Sequence, residues 1–161
     1  MIFFIIKFVI RTLIGVVVIL LALGFARTWQ TKHSASQTVF LAGTIPSPAP
    51  DGLYNGNVPG YVTSWLGKKF DATSNTGTNV FKDSTGVMTE KYPFKTYSGK
   101  SVTDTQTDVL KIDYDSPQNP FWLRPVVDEI VQISPQTFLG KLQMRIIPNY
   151  PFTLLFFELR K

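Results

Sequence analysis

The first 26 residues constrain this chain more than any other stretch. Met1 to Ile10 reads MIFFIIKFVI and Thr12 to Ala26 reads TLIGVVVILLALGFA, with only Lys7 and Arg11 interrupting the apolar character. The unbroken run after Arg11 is about 15 residues, short of the roughly 20 that cross a ~30 Å hydrocarbon core. Both cations lie toward the N-terminal end, where long side chains can reach headgroups. The whole of Ile2 to Ala26 is therefore long enough to span. It ties everything after it to a membrane, or carries it across one.

Two readings of this segment compete. One is a retained signal anchor. The other is a secretory signal peptide with a basic start, an apolar centre and the small pair Gly24 and Ala26 before a cut. Arg27 directly after the cut is not ideal, so the anchor is preferred. The short N-terminal tail offers little to translocate. The expected topology is a single pass, with the C-terminal domain outside the cytoplasm and residues 2–26 in the lipid bilayer.

The segment also explains the charge. The chain carries 16 Lys and Arg against 11 Asp and Glu, a net +5. Lys7, Arg11, Arg27 and Lys32 all precede Ser34, and every acid follows it. The remainder is close to neutral, so the basic balance is not a nucleic-acid footprint. Its only basic pair, Lys68-Lys69, reads as a solvated strand end.

The chain has no Cys and one His. Thiolate catalysis, disulfides and Cys-based zinc sites are excluded. A Ser-His-Asp arrangement would have to recruit His33, in the linker. That residue reads instead as interfacial, beside Lys32. No cofactor or metal is expected.

After Ala26, residues 28–50 read as a polar, Pro-rich linker. Pro46, Pro48 and Pro50 at every second position favour extended chain and exclude helix. Residues 51–161 read as short strands separated by turns. In VLKIDYD, Leu110, Ile112 and Tyr114 share one face and Lys111, Asp113 and Asp115 the other. Phe138 to Ile146 repeats that period of two, with Lys141, Gln143 and Arg145 on the polar side. Val126–Ser134 and Phe152–Leu159 are apolar on both faces, which marks central or closing strands. Tight turns at 134–136 and 148–151 join the last three strands into an antiparallel meander. The predicted fold class is mainly β: an antiparallel barrel preceded by one transmembrane helix.

Ser64-Trp65-Leu66-Gly67-Lys68-Lys69-Phe70 resembles the W-x-G-K-x-F signature of bacterial lipocalin-like proteins of the GXWXG type. Asp128 to Ile133 followed by Thr137 to Lys141 resembles their C-terminal strand pair. Gly52-Leu53-Tyr54-Asn55-Gly56 is similar to their opening strand, with Tyr for Trp. The matches lie sparsely across residues 50–146, and Thr63 stands where the first motif has Gly. The resemblance implies a calycin-type up-and-down barrel that holds an apolar molecule, and no established activity. An aromatic at Trp65 would plug one barrel end, and Lys68 or Lys69 could lie over its face. The plainer reading makes Trp65 and Phe70 core only.

Candidate chemistry is sparse. Asp128 and Glu129 alternate across a strand, so one should face inward, where burial would raise its pKa. The plainer reading has Asp128 pointing out or paired with Arg124 or Arg145. Asp113 and Asp115 read as a solvated face. Thr73 to Thr78 offers hydroxyls without a base. The expected function is a membrane-tethered barrel binding a hydrophobic or lipid-like ligand without catalysis, touched by Trp65, Phe70, Tyr114, Trp122 and Arg124. The alternatives are a solid barrel acting as an accessory subunit of a membrane complex, docked through an aromatic face, and an enzyme with a buried carboxylate base.

Overall fold

A computed structural model describes residues 2–161. Helix α1 spans Ile2–Lys32 and α2 spans Ala35–Ala42. Eight strands follow: β1 Gly52–Asn57, β2 Trp65–Asp71, β3 Thr76–Lys82, β4 Met88–Lys100, β5 Asp108–Asp113, β6 Val126–Ser134, β7 Thr137–Ile147 and β8 Tyr150–Arg160. Each pairs antiparallel with the next, and β1 pairs with β8 to close an up-and-down barrel. The last three strands form the meander expected from their turns.

The interior follows the period of two. Leu110, Ile112 and Tyr114 from β5 and its end join Val126, Ile130, Phe138, Phe157 and Leu159 in one buried cluster. The floor is aromatic: the Tyr54 ring lies 5.7 Å from Phe70 and 5.1 Å from Phe138, and Phe70 lies 5.4 Å from Phe94. Tilted and edge-to-face pairs of this kind fill space tightly.

Strands β6 and β8 are apolar on both faces because the outer wall formed by β6 to β8 is also covered. Phe40 of α2 packs on Val109, Val131, Leu139 and Phe156. Helix α2 and the loop after β4 also seal polar groups there. Glu129 accepts from Ser101 Oγ (2.6 Å), the Val102 amide (2.6 Å) and Gln143 Nε2 (2.8 Å). Lys141 meets Asp104 and lies 4.2 Å from the centre of the Phe40 ring.

The linker differs from the sequence expectation. Helix α1 runs past Arg27 to Lys32, and α2 occupies part of the stretch read as polar connector. Ser34 caps α2, its Oγ accepting from the Gln37 amide at 3.3 Å. Only Gln37 and Phe40 of α2 are buried, too few in an eight-residue helix to register as periodicity. The Pro-rich stretch is not helical, as expected, but it lies on the barrel. Thr44 bridges to Gln132, and the Ser47 amide donates to Gln132 Oε1.

The C-terminal part of α1 is seated on β8. Strand β1 pairs with β8 only near its end, at Asn57↔Glu158 and beyond. The uncovered edge of β8 is completed by threonines of the helix. Thr28 Oγ1 accepts from the Thr153 amide at 3.1 Å, and Thr31 Oγ1 donates to the Thr153 carbonyl at 3.4 Å. The most apolar part of α1 is not buried against the barrel at all and is long enough to cross a membrane.

Candidate functional site: a polar cluster beneath an apolar lumen

Above the aromatic floor the barrel is hollow. A cavity of about 260 Å³ is walled by Trp65, Phe81, Tyr92, Trp122, Leu142 and Leu155, among others. Its base is a buried polar cluster. Lys68 Nζ lies 2.8 Å from Asp128 Oδ2 and donates to Asn79 Oδ1 at 2.9 Å. It also contacts the Tyr114 hydroxyl. Tyr114 donates to Asp128 Oδ2 at 3.1 Å. Asn79 Nδ2 donates to the Tyr114 hydroxyl at 3.0 Å, and Trp65 Nε1 donates to Asn79 Oδ1 at 3.1 Å.

The backbone explains how Lys68 comes to be inside. Pairing of β2 with β3 shifts between Trp65 and Gly67, a bulge that lets Trp65, Lys68 and Phe70 share the inner face. Gly67 makes the bulge possible. Its φ is +137°, and a Cβ there would stand 2.0 Å from the Tyr54 carbonyl oxygen. The expectation of a solvated Lys68-Lys69 pair therefore holds for Lys69 and fails for Lys68, which is 2% exposed.

Once buried, Lys68 needs compensation. Its three donors meet Asp128, Asn79 and Tyr114, and four rings surround it at 5.0–5.6 Å from their centres: Trp65, Phe94, Tyr114 and Phe157. Burial lowers the Lys68 pKa, and the Asp128 charge and hydrogen bond pull it partly back. Burial also holds the Tyr114 hydroxyl well above its ordinary value, so it stays protonated and donates. Asp128 points inward to Lys68, not outward to Arg124 or Arg145. One atom is left over: Asp128 Oδ1 is buried and has no hydrogen-bond partner among the described residues. An orphaned carboxylate oxygen at the base of a largely apolar cavity leaves a place for one more donor.

The sequence-predicted residues divide. Trp65, Tyr114 and Trp122 all line the cavity. Phe70 belongs to the floor and does not line it. Arg124 lies outside, its Nε 2.8 Å from Asp115 Oδ1. Asp113 likewise meets Arg145, at 2.9 Å, on the outer face. His33 sits at the end of α1, its ring 4.7 Å from that of Trp29. Sequence reasoning placed Lys68 or Lys69 over the Trp65 face, where Lys68 Nζ lies 5.6 Å from the ring centre, but missed its buried pairing with Asp128 and missed Asn79. The signal for them was indirect: an inward acid on β6 requires a cation on another strand.

No protein-family model matches this sequence, and no curated protein matches it. A protein from Thermomonospora curvata, known from its crystal structure, has a similar fold: TM-score 0.51 at 13% identity, covering 74% of this chain and 79% of that one. That likeness bears on fold alone. The comparisons and the coordinates together establish an eight-stranded antiparallel barrel behind an apolar N-terminal helix.

Proposed function

We propose that this protein is a membrane-anchored binding barrel for a small amphipathic molecule, with the barrel outside the cytoplasm. The observation that carries the reading is the largely apolar cavity of about 260 Å³ with Asp128 at its base, where the buried Oδ1 has no partner among the described residues. Lys68 and Asp128 neutralise one another, so the fitting ligand is itself neutral. It has an apolar body against Trp65, Leu142 and Leu155, and a hydroxyl, amide or amine that donates to Oδ1. A 150 Å³ apolar cavity holds one benzene. By that measure about 260 Å³ holds roughly ten heavy atoms. A longer tail would leave past Trp122. Long-chain alcohols and monoglyceride-like lipids have this chemistry. The resemblance to lipocalin-like proteins of the GXWXG type supports the same use.

The test is binding of aminonaphthalene, a fluorescent amine on an apolar body small enough for the cavity, to the full chain in lipid nanodiscs. Saturable binding at one per chain, beyond partition into empty nanodiscs and abolished by Leu142→Trp, is the expected result. Partition equal to that of empty nanodiscs contradicts the reading. The accessory-subunit alternative draws on exposed aromatics such as Phe121, which is 83% exposed.

A further inference from the structure

Most of the exposed large apolar residues that follow α1 gather at one end of the barrel; Val39, Leu41, Leu53, Tyr97 and Ile133, each less than half exposed, lie elsewhere. The loop between β1 and β2 carries Val62, the β3–β4 turn Val87, the β5–β6 loop Phe121 and Trp122, and the β7 end and β8 start Ile146 and Tyr150. In an up-and-down barrel these four connections lie at one end. It is the same end at which the cavity is walled by Thr63, Trp65 and Trp122. The opposite connections present Thr73, Ser74, Asn75, Gln106 and Gln136 to solvent.

Helix α1 is rooted at the apolar end. The Phe25 ring lies 5.1 Å from both Tyr150 and Phe152, Gly24 abuts Phe152, and Arg27 contacts the Tyr61 hydroxyl. From there the chain descends the barrel wall. Thr28 and Thr31 reach Thr153, Phe40 reaches Phe156, and Thr44 reaches Gln132 at the far end. The residues before Gly24 therefore project beyond the apolar rim. At 1.5 Å per residue, Ile2 to Ala26 measures about 37 Å, enough to cross a ~30 Å hydrocarbon core. The apolar part of the helix begins at the level of the rim.

We infer that the rim rests on the surface of the bilayer that α1 enters, with the aromatic and aliphatic loop tips in the interfacial layer and the mouth of the lumen facing the lipid. Isolated surface hydrophobics need no explanation, but a ring of them around one opening does. Phe, Trp and Tyr at such a level are suited to the headgroup boundary. The consequence is a loading route: a ligand enters the cavity from the leaflet, without crossing water. This inference rests on the anchored-barrel reading and adds an orientation and a lipid source to it.

The absence of Cys makes the test direct. Single spin labels are placed on the full chain in phosphatidylcholine vesicles through Val62→Cys, Val87→Cys, Phe121→Cys and Ile146→Cys at the rim. Ser74→Cys and Gln136→Cys label the opposite end, and Leu13→Cys labels mid-helix. All these positions are exposed, so labels do not load the core. Collisions with oxygen, which concentrates in lipid, are compared with collisions with a water-soluble nickel chelate. The inference expects the oxygen-to-nickel ratio at the rim to exceed that at Ser74 and Gln136 several-fold, between them and Leu13. A rim as aqueous as Ser74, with Leu13 in lipid, overturns the orientation while leaving the anchor in place, and would assign the rim to a protein partner. Aqueous values at Leu13 as well would overturn both.

Discussion

Lys68 and Asp128 meet across the lumen at 2.8 Å, from β2 and β6, strands that are not neighbours in the sheet. The pair therefore ties opposite walls of the barrel, just above the aromatic floor. Removing two charges from water is costly, and the gain depends on complete hydrogen bonding. Lys68 is complete. Asp128 is complete on one oxygen only.

Removing one partner should be far more damaging than removing both. Lys68→Met leaves the Asp128 charge buried with the Tyr114 hydroxyl alone. A loss of roughly 3–5 kcal/mol is expected from urea unfolding. Lys68→Met with Asp128→Leu should recover most of it, because two well-packed apolar side chains replace a desolvated pair. Equal losses for the single and double variants would show that the pair is not coupled as described. The double variant should also lose aminonaphthalene binding despite its recovered stability.

Gly67→Ala should disrupt the bulge on which the whole inner face of β2 depends. Its Cβ would meet backbone, not a flexible side chain, so the clash cannot be relieved by a rotamer change. A loss of about 3 kcal/mol is expected. At Gly86 the same change meets nothing closer than Lys82 Cε at 3.5 Å, though its φ of +91° still imposes strain. Thermal melts of the two variants should therefore rank Gly67→Ala clearly below Gly86→Ala, and the reverse order would contradict the assignment.

The outer polar cluster predicts a pH dependence with a definite sign. Burial raises the Glu129 carboxyl above its ordinary 4.5, while Ser101, the Val102 amide and Lys141 pull it down by less. Between 4.5 and that raised value the folded chain holds the proton more tightly than the unfolded chain. Acidification through this window therefore stabilises the fold at Glu129. Asp104 behaves oppositely. Burial raises it, but Lys141, Gln37 and Thr103 together outweigh this, so its contribution is lost only as the pH falls below 3.8. The unfolding free energy of the wild type, relative to Glu129→Gln, should increase as the pH falls from 7 toward 4.5. A constant difference would mean that Glu129 does not titrate differently in the fold.

Thr28→Val with Thr31→Val should loosen the helix from the barrel without unfolding it. Two hydrogen bonds to Thr153 are lost, each worth about 1 kcal/mol. Hydrogen exchange at the Thr153 amide should accelerate by roughly tenfold or more, while exchange in β6 stays unchanged. Acceleration throughout the barrel would instead make α1 part of the folding core.

Much of the barrel is legible in the residue pattern. The alternation in Val109 to Asp115 and Phe138 to Ile146, with the tight turns at 134–136 and 148–151, suffices for the meander. What lies beyond local pattern is which outer faces are covered. Lys141 and Gln143 read as solvent-facing and are buried, because α2 and the loop after β4 fold over them, and that packing is non-local. The site was half legible for the same reason. Trp65, Tyr114 and Trp122 stand out as aromatics, whereas Lys68 turns inward only through the bulge at Gly67, and Asn79 matters only because Lys68 is there. Phe70 and Arg124 carry the right chemistry at the wrong level: one is in the floor, the other outside the wall.

The most direct test is native mass spectrometry of the full chain, gently extracted from its own membrane, beside the cavity-filling variant Leu142→Trp. The account predicts a reproducible added mass of one neutral, lipid-sized molecule on the wild type, absent from Leu142→Trp. A bare wild-type mass, or the same adduct on both proteins, would contradict a ligand held in the lumen.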